Sequence, residues 1–430
     1  MRIPEIEFAS AEEIEKCQNE KLIETVLYLN SNSKFYQEMF RRENINPSDI
    51  KTVSDLKKIP FTAKDDLHNR NEDFICVSKN QISDYVTTSG TIGDPVTFAL
   101  TDRDLDRLAY NEYISFICAD GSSEDIYQLM CTLDRRFMAG LAYFLGIRKL
   151  GAGIIRVGNG LPELQWDTIK RIKPTALVGV PSFILKMIEY AEHNGIDCNE
   201  TSVVKAICIG ENIRKSDFSY NTLGKNITDK WNIKLYSTYA STEKGTSFTE
   251  CGAGTGGHLH PELIIAEVID ENGNDVGEGE TGELVFTTLG VEGMPLLRYR
   301  SGDLCQYFSS PCECGRNTLR LGPIIGRRHH MIKYRGTTLY PPALYDVLDS
   351  INEVIIYYVE VFTNEIGTDE ILIHVNAKGD QHKIESLIKD KIRAKVRVAP
   401  KIVFEESEII RKIVFPELSR KSQKFLDRRL

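Results

Sequence analysis

The apolar positions in the first half of the chain first recur at helical spacing and then form short strands that alternate with helical segments. Residues 11–42 repeat apolar side chains at helical spacing, and residues 101–119 predict a second helix that begins at a cap, Thr101 or Asp102. Between residues 173 and 239, short apolar strands alternate with helical segments. Because strands separated by helices usually pair in parallel, this region predicts a mostly parallel sheet with crossover helices.

The pattern changes in the second half of the chain. Closely spaced strands with short turns occur over residues 263–270, 282–289 and 304–308, which predicts an antiparallel β subdomain. The end of the chain alternates strands with one helix. We therefore expect an α/β fold with a large N-terminal domain of several subdomains, residues 1–328, and a small α+β C-terminal domain, residues 329–430.

Net charge and composition limit the kinds of binding partner and the cellular location that we expect. The formal net charge of −9 over 430 residues argues against nucleic acid or an anionic membrane as a partner. No apolar run approaches the roughly 18 residues of a membrane-spanning helix, and the N-terminus does not resemble a signal peptide, so a cytoplasmic protein is expected. Ten cysteines without a disulfide framework indicate reduced thiols and leave room for a metal site.

A loop rich in hydroxyls and glycine follows the short apolar run at Tyr85 and Val86. Glycines let the backbone approach a bulky anion, and the hydroxyl and amide groups can donate hydrogen bonds to a triphosphate. It is not the usual P-loop, because no Gly-Lys-Ser/Thr follows; a surface hairpin loop is the alternative. The candidate phosphate-binding residues are Thr88, Ser89, Gly90, Thr91 and Gly93.

This loop, TSGTIGDP, resembles the phosphate-binding signature of the acyl-adenylate-forming enzymes. Three further matches to motifs of that superfamily follow in the same order: YASTE at 239–243, RYRSGDL at 298–304, and Gly326-Arg327 with Lys333. The resemblance implies an adenylate-forming N-terminal domain that binds ATP and a C-terminal domain that moves between two half-reactions.

Within that superfamily, the chain resembles the phenylacetate–coenzyme A ligase branch. The resemblance rests on the overall length, the PFTAKDDL stretch at 60–67, Pro181-Ser182 after a strand, and a cysteine-rich insertion. It implies ligation of an aryl carboxylic acid to coenzyme A through an acyl-adenylate, with release of AMP and pyrophosphate. An enzyme that passes the acyl group to a carrier-protein phosphopantetheine or an amine is the nearest alternative. A non-catalytic nucleotide-binding relative is an alternative of another class, and a homodimer is also considered.

Three residues are candidates for catalysis. Glu243 offers the hard oxygen that Mg²⁺ prefers, and Thr242 can contact the α-phosphate. In the C-terminal stretch RKSQKFLDRR, Lys421 matches the lysine that contacts the carboxylate and α-phosphate in the superfamily. Arg420 stands where the family has glycine, and Lys424 is the competing lysine.

Candidate residues for binding the nucleotide come from side-chain chemistry and from the family resemblance. The carboxylate of Asp303 accepts hydrogen bonds only, which suits two ribose hydroxyls. Tyr239 offers an aromatic face to adenine, and Arg327 can contact ribose or phosphate. The remaining candidates implied by the resemblance are Gly210, Glu211, Ala240 and Lys333.

The acid pocket is expected around Phe137 and Gly140, which match a Phe-x-x-Gly pattern of the ligase branch. Arg135 and Arg136 stand where relatives have smaller or aromatic residues. An aryl acid other than phenylacetate itself is therefore compatible with the sequence.

A second constellation predicts a structural zinc site. Cys312 and Cys314 lie on one side of an extended segment, and Cys251 and His258 precede them in a glycine-rich region. Three sulfurs and one imidazole form a closed tetrahedral zinc site. His260 is the alternative fourth ligand, and buried reduced thiols are the alternative to a metal.

Overall fold

The computed structural model describes residues 4–88, 95–334, 337–364, 369–416 and 422–429. The chain forms two compact units. The first contains Met1–Ser219, Gly224–Ser301 and Cys305–Pro323. The second contains Tyr220–Leu223, Gly302–Leu304 and Ile324–Leu430. The domain boundary expected after residue 328, between a large N-terminal and a small C-terminal domain, stays a prediction.

The helices and strands are as follows in chain order. The α-helices are α1 (Ala11–Asn32), α2 (Lys34–Arg42), α3 (Lys64–Asn69), α4 (Asp102–Cys118), α5 (Met138–Leu150), α6 (Pro162–Ile172), α7 (Pro181–His193), α8 (Thr222–Thr228), α9 (Pro341–Leu348), α10 (Gln381–Val396) and α11 (Ser407–Val414). The strands are β1 (Ile82–Thr87), β2 (Thr97–Thr101), β3 (Ile126–Leu129), β4 (Gly153–Arg156), β5 (Ala176–Gly179), β6 (Lys205–Ile209), β7 (Lys234–Ser241), β8 (Thr246–Glu250), β9 (Gly257–His258), β10 (Ile264–Ile269), β11 (Gly282–Thr288), β12 (Tyr299–Cys305), β13 (Tyr307–Phe308), β14 (Arg320–Leu321), β15 (Gly326–Arg327), β16 (Ile332–Tyr334), β17 (Thr337–Leu339), β18 (Val354–Thr363), β19 (Asp369–Ala377), β20 (Lys401–Phe404) and β21 (Phe425–Asp427).

The central sheet of the first unit is parallel at one side and antiparallel at the other. Its strand order is β13-β14-β9-β8-β7-β6-β5-β3-β4, and the five strands from β7 to β4 are parallel neighbours. Strands β5 and β6 are buried along their whole length. Both faces of a parallel sheet are covered, so such strands appear in sequence as continuous apolar runs. The predicted parallel sheet is therefore present, and antiparallel strands extend it.

Local sequence signals set the helix boundaries. The helical pattern of residues 11–42 forms two helices, because Ser33 ends α1 and its hydroxyl accepts a hydrogen bond from the Tyr36 amide at the start of α2. Thr101 caps α4 through a reciprocal capping box with Asp104. Helix α7 begins at Pro181, the position where proline is favoured.

The region after residue 263 contains the expected antiparallel strands. Strands β10 and β11 pair in register from Ile264 opposite Thr288 to Ile269 opposite Glu283. In the turn that follows β10, the Asp270 carboxylate accepts hydrogen bonds from two backbone amides. This self-bonding aspartate is typical of tight turns.

The second unit contains a small α+β fold. Its sheet has the order β20-β19-β18-β21, with β18 and β19 antiparallel and the two outer strands parallel to their neighbours. Helix α10 contributes Ile384, Ile388 and Ile392 to the buried cluster of this unit. Their spacing is that of one helical face, which is the pattern that predicted the helix.

Among the described residues, no helix is both long and apolar enough to cross a membrane.

Candidate active site and metal centre

The YASTE residues occupy the end of β7 and the turn that joins it to β8. Ala240 is exposed, whereas Thr242 and Glu243 are partly exposed in the turn. Strand β6 lies beside β7 in parallel and ends at Ile209, which pairs with Thr238. The carboxyl ends of β6 and β7 thus meet at one edge of the sheet, where ligands bind in α/β folds.

Arg107 of α4 fixes the turn that carries Thr242 and Glu243. Its guanidinium is buried and donates hydrogen bonds to the carbonyl oxygens of Gly245 at 2.6 Å and Leu289 at 2.8 Å. Burial lowers the pKa of Arg107 to about 10, so the guanidinium stays charged at neutral pH. A charged donor anchoring backbone carbonyls holds the turn in one conformation.

Lys244, the residue after Glu243, is not among the residues that the sequence pointed to. Its side chain is wholly buried, and its ammonium lies 3.3 Å from the centroid of the Tyr239 ring. The Tyr239 ring is half-buried and also packs against Phe248, with centroids 6.1 Å apart and planes inclined by 28°. No sequence signal indicated this arrangement, because a lysine in a turn is ordinarily exposed.

Gly210 and Glu211 lie at the same edge, directly after β6. Gly210 has a φ of +76°, a left-handed conformation that glycine adopts without strain. The Glu211 carboxylate accepts hydrogen bonds from the Ser182 amide at 2.9 Å and the Ser182 hydroxyl at 3.0 Å. Glu211 therefore caps the first turn of α7 and ties that helix to the edge of the sheet.

Thr88 closes the base of the candidate phosphate loop. Its amide donates to the Val96 carbonyl at 2.9 Å, and its hydroxyl accepts from the Val96 amide at 3.0 Å. Strands β1 and β2 form an antiparallel hairpin up to this point. The remaining candidates of the loop, Ser89, Gly90, Thr91 and Gly93, lie outside the described residues.

The segment expected to form the acid pocket leads into α5. Phe137 is the residue before the helix, and it packs partly buried against the core of the central sheet. A Cβ added at Gly140 would lie 1.8 Å from the Thr132 carbonyl oxygen, so only glycine allows this close approach. Arg135 and Arg136 are exposed and have φ values of 58° and 57°, a sterically strained conformation for side chains of this size.

Asp303 and Arg327 lie opposite each other on the paired strands β12 and β15. They are partners in the antiparallel register of these strands. The Arg327 Nε donates to the Asp303 Oδ1 at 3.1 Å, and the Asp303 side chain is 10% exposed while that of Arg327 is 41% exposed. The structure thus brings together two of the predicted nucleotide contacts.

The described part of the second unit contains the candidate Lys333 and also Lys424, the competitor of Lys421. Lys333 is exposed on β16, and its backbone amide donates to the Asp369 carboxylate at 2.8 Å. Lys421 lies outside the described residues. Its competitor Lys424 donates to the Tyr357 hydroxyl at 3.0 Å. This contact pairs the Lys424 ammonium within its own unit, and the choice of Lys421 over Lys424 for catalysis stays a prediction.

The four predicted metal ligands converge in the first unit. Their ligand atoms all lie within 4.8 Å of one another. The sulfurs of Cys251 and Cys312 are 3.6 Å apart, and the Cys314 sulfur is 3.5 Å from Nε2 of His258. Three sulfurs and one imidazole at this spacing fit a tetrahedral zinc ion.

Hydrogen bonds distinguish His258 from His260 as the fourth ligand. Nδ1 of His258 lies 3.0 Å from the Thr318 hydroxyl, which leaves Nε2 facing the thiols. Burial lowers the pKa of His258 to about 3, so the imidazole is neutral as a ligand must be. Both nitrogens of His260 are engaged elsewhere, with Ser115 at 3.0 Å and Glu7 at 2.6 Å.

Arg316 adds positive charge beside the cluster, which no sequence pattern indicated. Its Nη1 lies 3.6 Å from the Cys314 sulfur, and its Nε donates to the Glu7 carboxylate at 2.6 Å. A cation beside the thiols stabilises their ionised, metal-binding form. The contact also joins the N-terminal turn Glu5–Phe8 to the cysteine-bearing loop.

Residues 7–292 match the family described as AMP-binding enzymes. The chain belongs to this family. It is 29% identical over 378 residues to the phenylacetate-coenzyme A ligase of Thermus thermophilus, covering 86% of this chain and 83% of that one. The phenylacetate-coenzyme A ligase of Escherichia coli is 29% identical over 354 residues, 80% of this chain and 78% of its own.

Solved structures show the same fold. A 2-hydroxyisobutyryl-CoA ligase in complex with R3-HIB-AMP, described as postadenylation, superposes with a TM-score of 0.84 at 20% identity, covering 99% of this chain and 91% of that one. ATP-bound MatB from Rhodopseudomonas palustris gives a TM-score of 0.56 at 16% identity, covering 77% and 65%. The predicted adenylate-forming fold and the family resemblance carried by the motifs are both confirmed.

Proposed function

We propose that this chain is an AMP-forming acid–thiol ligase that joins an aryl carboxylic acid of the phenylacetate type to coenzyme A. The observation that carries the proposal is its similarity to four phenylacetate-coenzyme A ligases at 26–29% identity over 80–88% of the chain. The site supports it, because Gly210, Glu211 and the YASTE residues lie at the carboxyl edge of the parallel sheet, where ligands bind in α/β folds. The presence of a complete set of candidate residues argues against a non-catalytic relative.

The first half-reaction forms the acyl-adenylate. A carboxylate oxygen attacks the α-phosphorus of ATP, and the bond from the α-phosphorus to the pyrophosphate oxygen breaks. Two anions must approach, so the loop that begins at Thr88 and the ammonium of Lys421 are assigned to neutralise the phosphate charge. Thr242 is assigned to the α-phosphate. Glu243 is assigned as a ligand of Mg²⁺, which would lower the negative charge of the phosphates when bound.

The adenosine part of the nucleotide is assigned to the remaining motif residues. The half-buried ring of Tyr239 is assigned to adenine, together with the Gly210–Glu211 edge and the backbone at Ala240. The buried carboxylate of Asp303 accepts from the ribose hydroxyls, and Arg327 beside it contacts ribose or phosphate oxygen. Lys333 is assigned to the same nucleotide.

The second half-reaction transfers the acyl group to coenzyme A. The coenzyme A thiolate attacks the acyl carbon, a thioester bond forms, and AMP leaves. We propose that residues 329–430 form a mobile domain that rotates between the two half-reactions, with His329 as the pivot. His329 lies in a short 3₁₀ turn, Arg328–His330, that follows β15. A short turn at an element boundary can absorb the change in backbone dihedrals that a hinge requires.

The acid is assigned to the segment around Phe137 and Gly140. Gly140 allows α5 to pack against the Thr132 carbonyl, and Phe137 lies at the start of that helix. The aromatic ring supplies apolar area for an aryl group. The exposed, strained Arg135 and Arg136 adjoin this segment and favour an aryl acid with a polar substituent over phenylacetate itself.

We also propose that Cys251, His258, Cys312 and Cys314 hold one structural zinc ion. All four protein ligands would be used, so no open position would remain for a substrate. A cytoplasmic location is a further proposal, which the ten cysteines without a disulfide framework support.

The test is thioester formation by the purified chain with ATP, Mg²⁺ and a panel of carboxylic acids, with and without coenzyme A. We expect aryl-acetic acids to give coenzyme A thioesters faster than long fatty acids, together with one AMP per thioester. AMP release that needs a carrier protein or an amine in place of coenzyme A would support the nearest alternative acceptor. No thioester and no AMP with any acid would contradict the proposal.

A further inference from the structure

Lys244 places a positive charge inside the protein against the ring assigned to adenine. The side chain is 0% exposed, and its ammonium is 3.3 Å from the Tyr239 centroid and 5.9 Å from the Phe248 centroid. The shorter distance lies well inside the range of a cation–π interaction. The ammonium therefore sits over one face of Tyr239.

Hydrogen bonds and strand pairing fix the backbone around Lys244 and thereby the contact between its ammonium and Tyr239. Arg107 donates to the Gly245 carbonyl at 2.6 Å and to the Thr246 hydroxyl at 3.1 Å, directly after Lys244 in the chain. Tyr239 and Phe248 are partners in the register of β7 and β8, so the turn that carries Lys244 folds back over its own strand. The geometry is set by paired strands and a buried guanidinium rather than by a surface loop.

A cation on one face of an aromatic ring changes how the other face binds. The ammonium fixes the orientation of the ring and draws electron density toward itself, which makes the opposite face less negative. Aromatic groups prefer offset stacking because their faces carry negative charge, so this depletion favours an electron-rich base such as adenine. Pre-orienting the ring also lowers the ordering cost of binding.

We propose that Lys244 is a positioning residue for nucleotide binding that acts through Tyr239, by orienting and polarising the ring on which adenine stacks. This rests on the assignment of Tyr239 to adenine in the proposed function. Because Lys244 acts through Tyr239, its effect falls on nucleotide affinity rather than on the chemical step.

The experiment compares ATP and adenosine as ligands of the full-length chain. Lys244→Met removes the charge at nearly constant length, and Lys244→Arg keeps the charge. We expect Lys244→Met to weaken ATP and adenosine binding by the same factor, about 5- to 20-fold from the usual strength of a buried cation–π contact. Lys244→Arg retains affinity within about 3-fold. Titration calorimetry gives both dissociation constants, and the midpoint of thermal unfolding shows whether each variant is folded at the assay temperature.

Several outcomes would overturn the inference. Weaker ATP binding with unchanged adenosine binding means that Lys244 acts on the phosphates, and unchanged binding of both means that it is only structural. If Lys244→Met does not fold, Lys244→Gln is tested with the same expectations. Tyr239→Ala separates this inference from the proposed function. If it leaves adenosine affinity unchanged, the adenine assignment itself is wrong; if it weakens adenosine binding while Lys244→Met does not, only the role of Lys244 is wrong.

Discussion

The cysteine–histidine cluster and the predicted nucleotide-binding residues are held in place in different ways. The cluster lies within one compact unit, and its four ligand atoms are within 4.8 Å of one another with Thr318 and Arg316 supporting them. The predicted nucleotide-binding residues are instead held by separate local partners, as Asp303 is by Arg327 and Glu211 by Ser182. The four-residue cluster is therefore complete within the fold, whereas the proposed nucleotide site would be completed only by its substrate. We expect the first to govern stability and the second to govern activity.

The strongest test of this division is Lys421→Ala. In the proposed mechanism this lysine meets charge that develops as the α-phosphorus is attacked, so its loss should lower kcat for adenylation by about 100-fold or more. ATP affinity should change by only a few-fold, and the thermal midpoint should not change. Pyrophosphate-exchange kinetics and calorimetry measure these quantities.

Lys424→Ala is the matched control for Lys421. Its ammonium contacts Tyr357 and Asp349 within the second unit, so the variant should lose some stability but keep adenylation within a few-fold. An active Lys421→Ala together with an inactive Lys424→Ala would show that the motif is aligned to the wrong lysine.

His329→Pro should impair one of the two half-reactions, adenylation or thioester formation, much more than the other. Proline locks φ near −65° and restricts the preceding residue, so the variant should hold one orientation of the proposed mobile domain. We expect one half-reaction to persist and the other to fall by at least about 10-fold. Pyrophosphate exchange and thioester formation are measured separately, and an equal loss in both would exclude His329 as the pivot.

Cys312→Ser should affect stability and leave the nucleotide site intact. We expect about one zinc per chain in the wild type, little in the variant, and a lower thermal midpoint by roughly 10 °C, because binding energy of a structural metal is folding energy. ATP affinity should change little. Cys17→Ser, which alters a half-buried thiol outside the cluster, should retain zinc. A wild-type protein that contains no zinc and has normal stability would contradict the zinc site and show that the cysteines of the cluster are ordinary reduced thiols.

The smallest expected effect is a pH dependence from His330 in the second unit. Burial lowers the pKa of His330, which packs against Phe425, to about 4. The unfolded chain, with a pKa near 6.5, binds the proton more readily, so the stability from neutral His330 is present above about pH 6.5 and lost as pH falls toward 4. The wild type should lose more of its thermal midpoint between pH 7 and pH 5 than His330→Gln. Equal losses would show that His330 does not titrate in this range.

The sequence predicted elements and motifs better than side-chain partners. The parallel strands, the capped α4 and the set of cysteines and histidine that converge could be predicted, because periodicity, capping and ligand chemistry are local signals. The choice of His258 over His260 was open until the structure placed Ser115 and Glu7 against His260. The capping role of Glu211 and the burial of Lys244 depend on contacts across the fold, which no local pattern reports.

Acid-dependent exchange of pyrophosphate into ATP tests the central claim most directly, because it needs only the first half-reaction and no acceptor. We expect Mg²⁺-dependent exchange that aryl-acetic acids stimulate more than long fatty acids do, and that Lys421→Ala lowers by about 100-fold or more. An absence of stimulation by every carboxylic acid in a broad panel, with a folded chain that binds ATP, would contradict it.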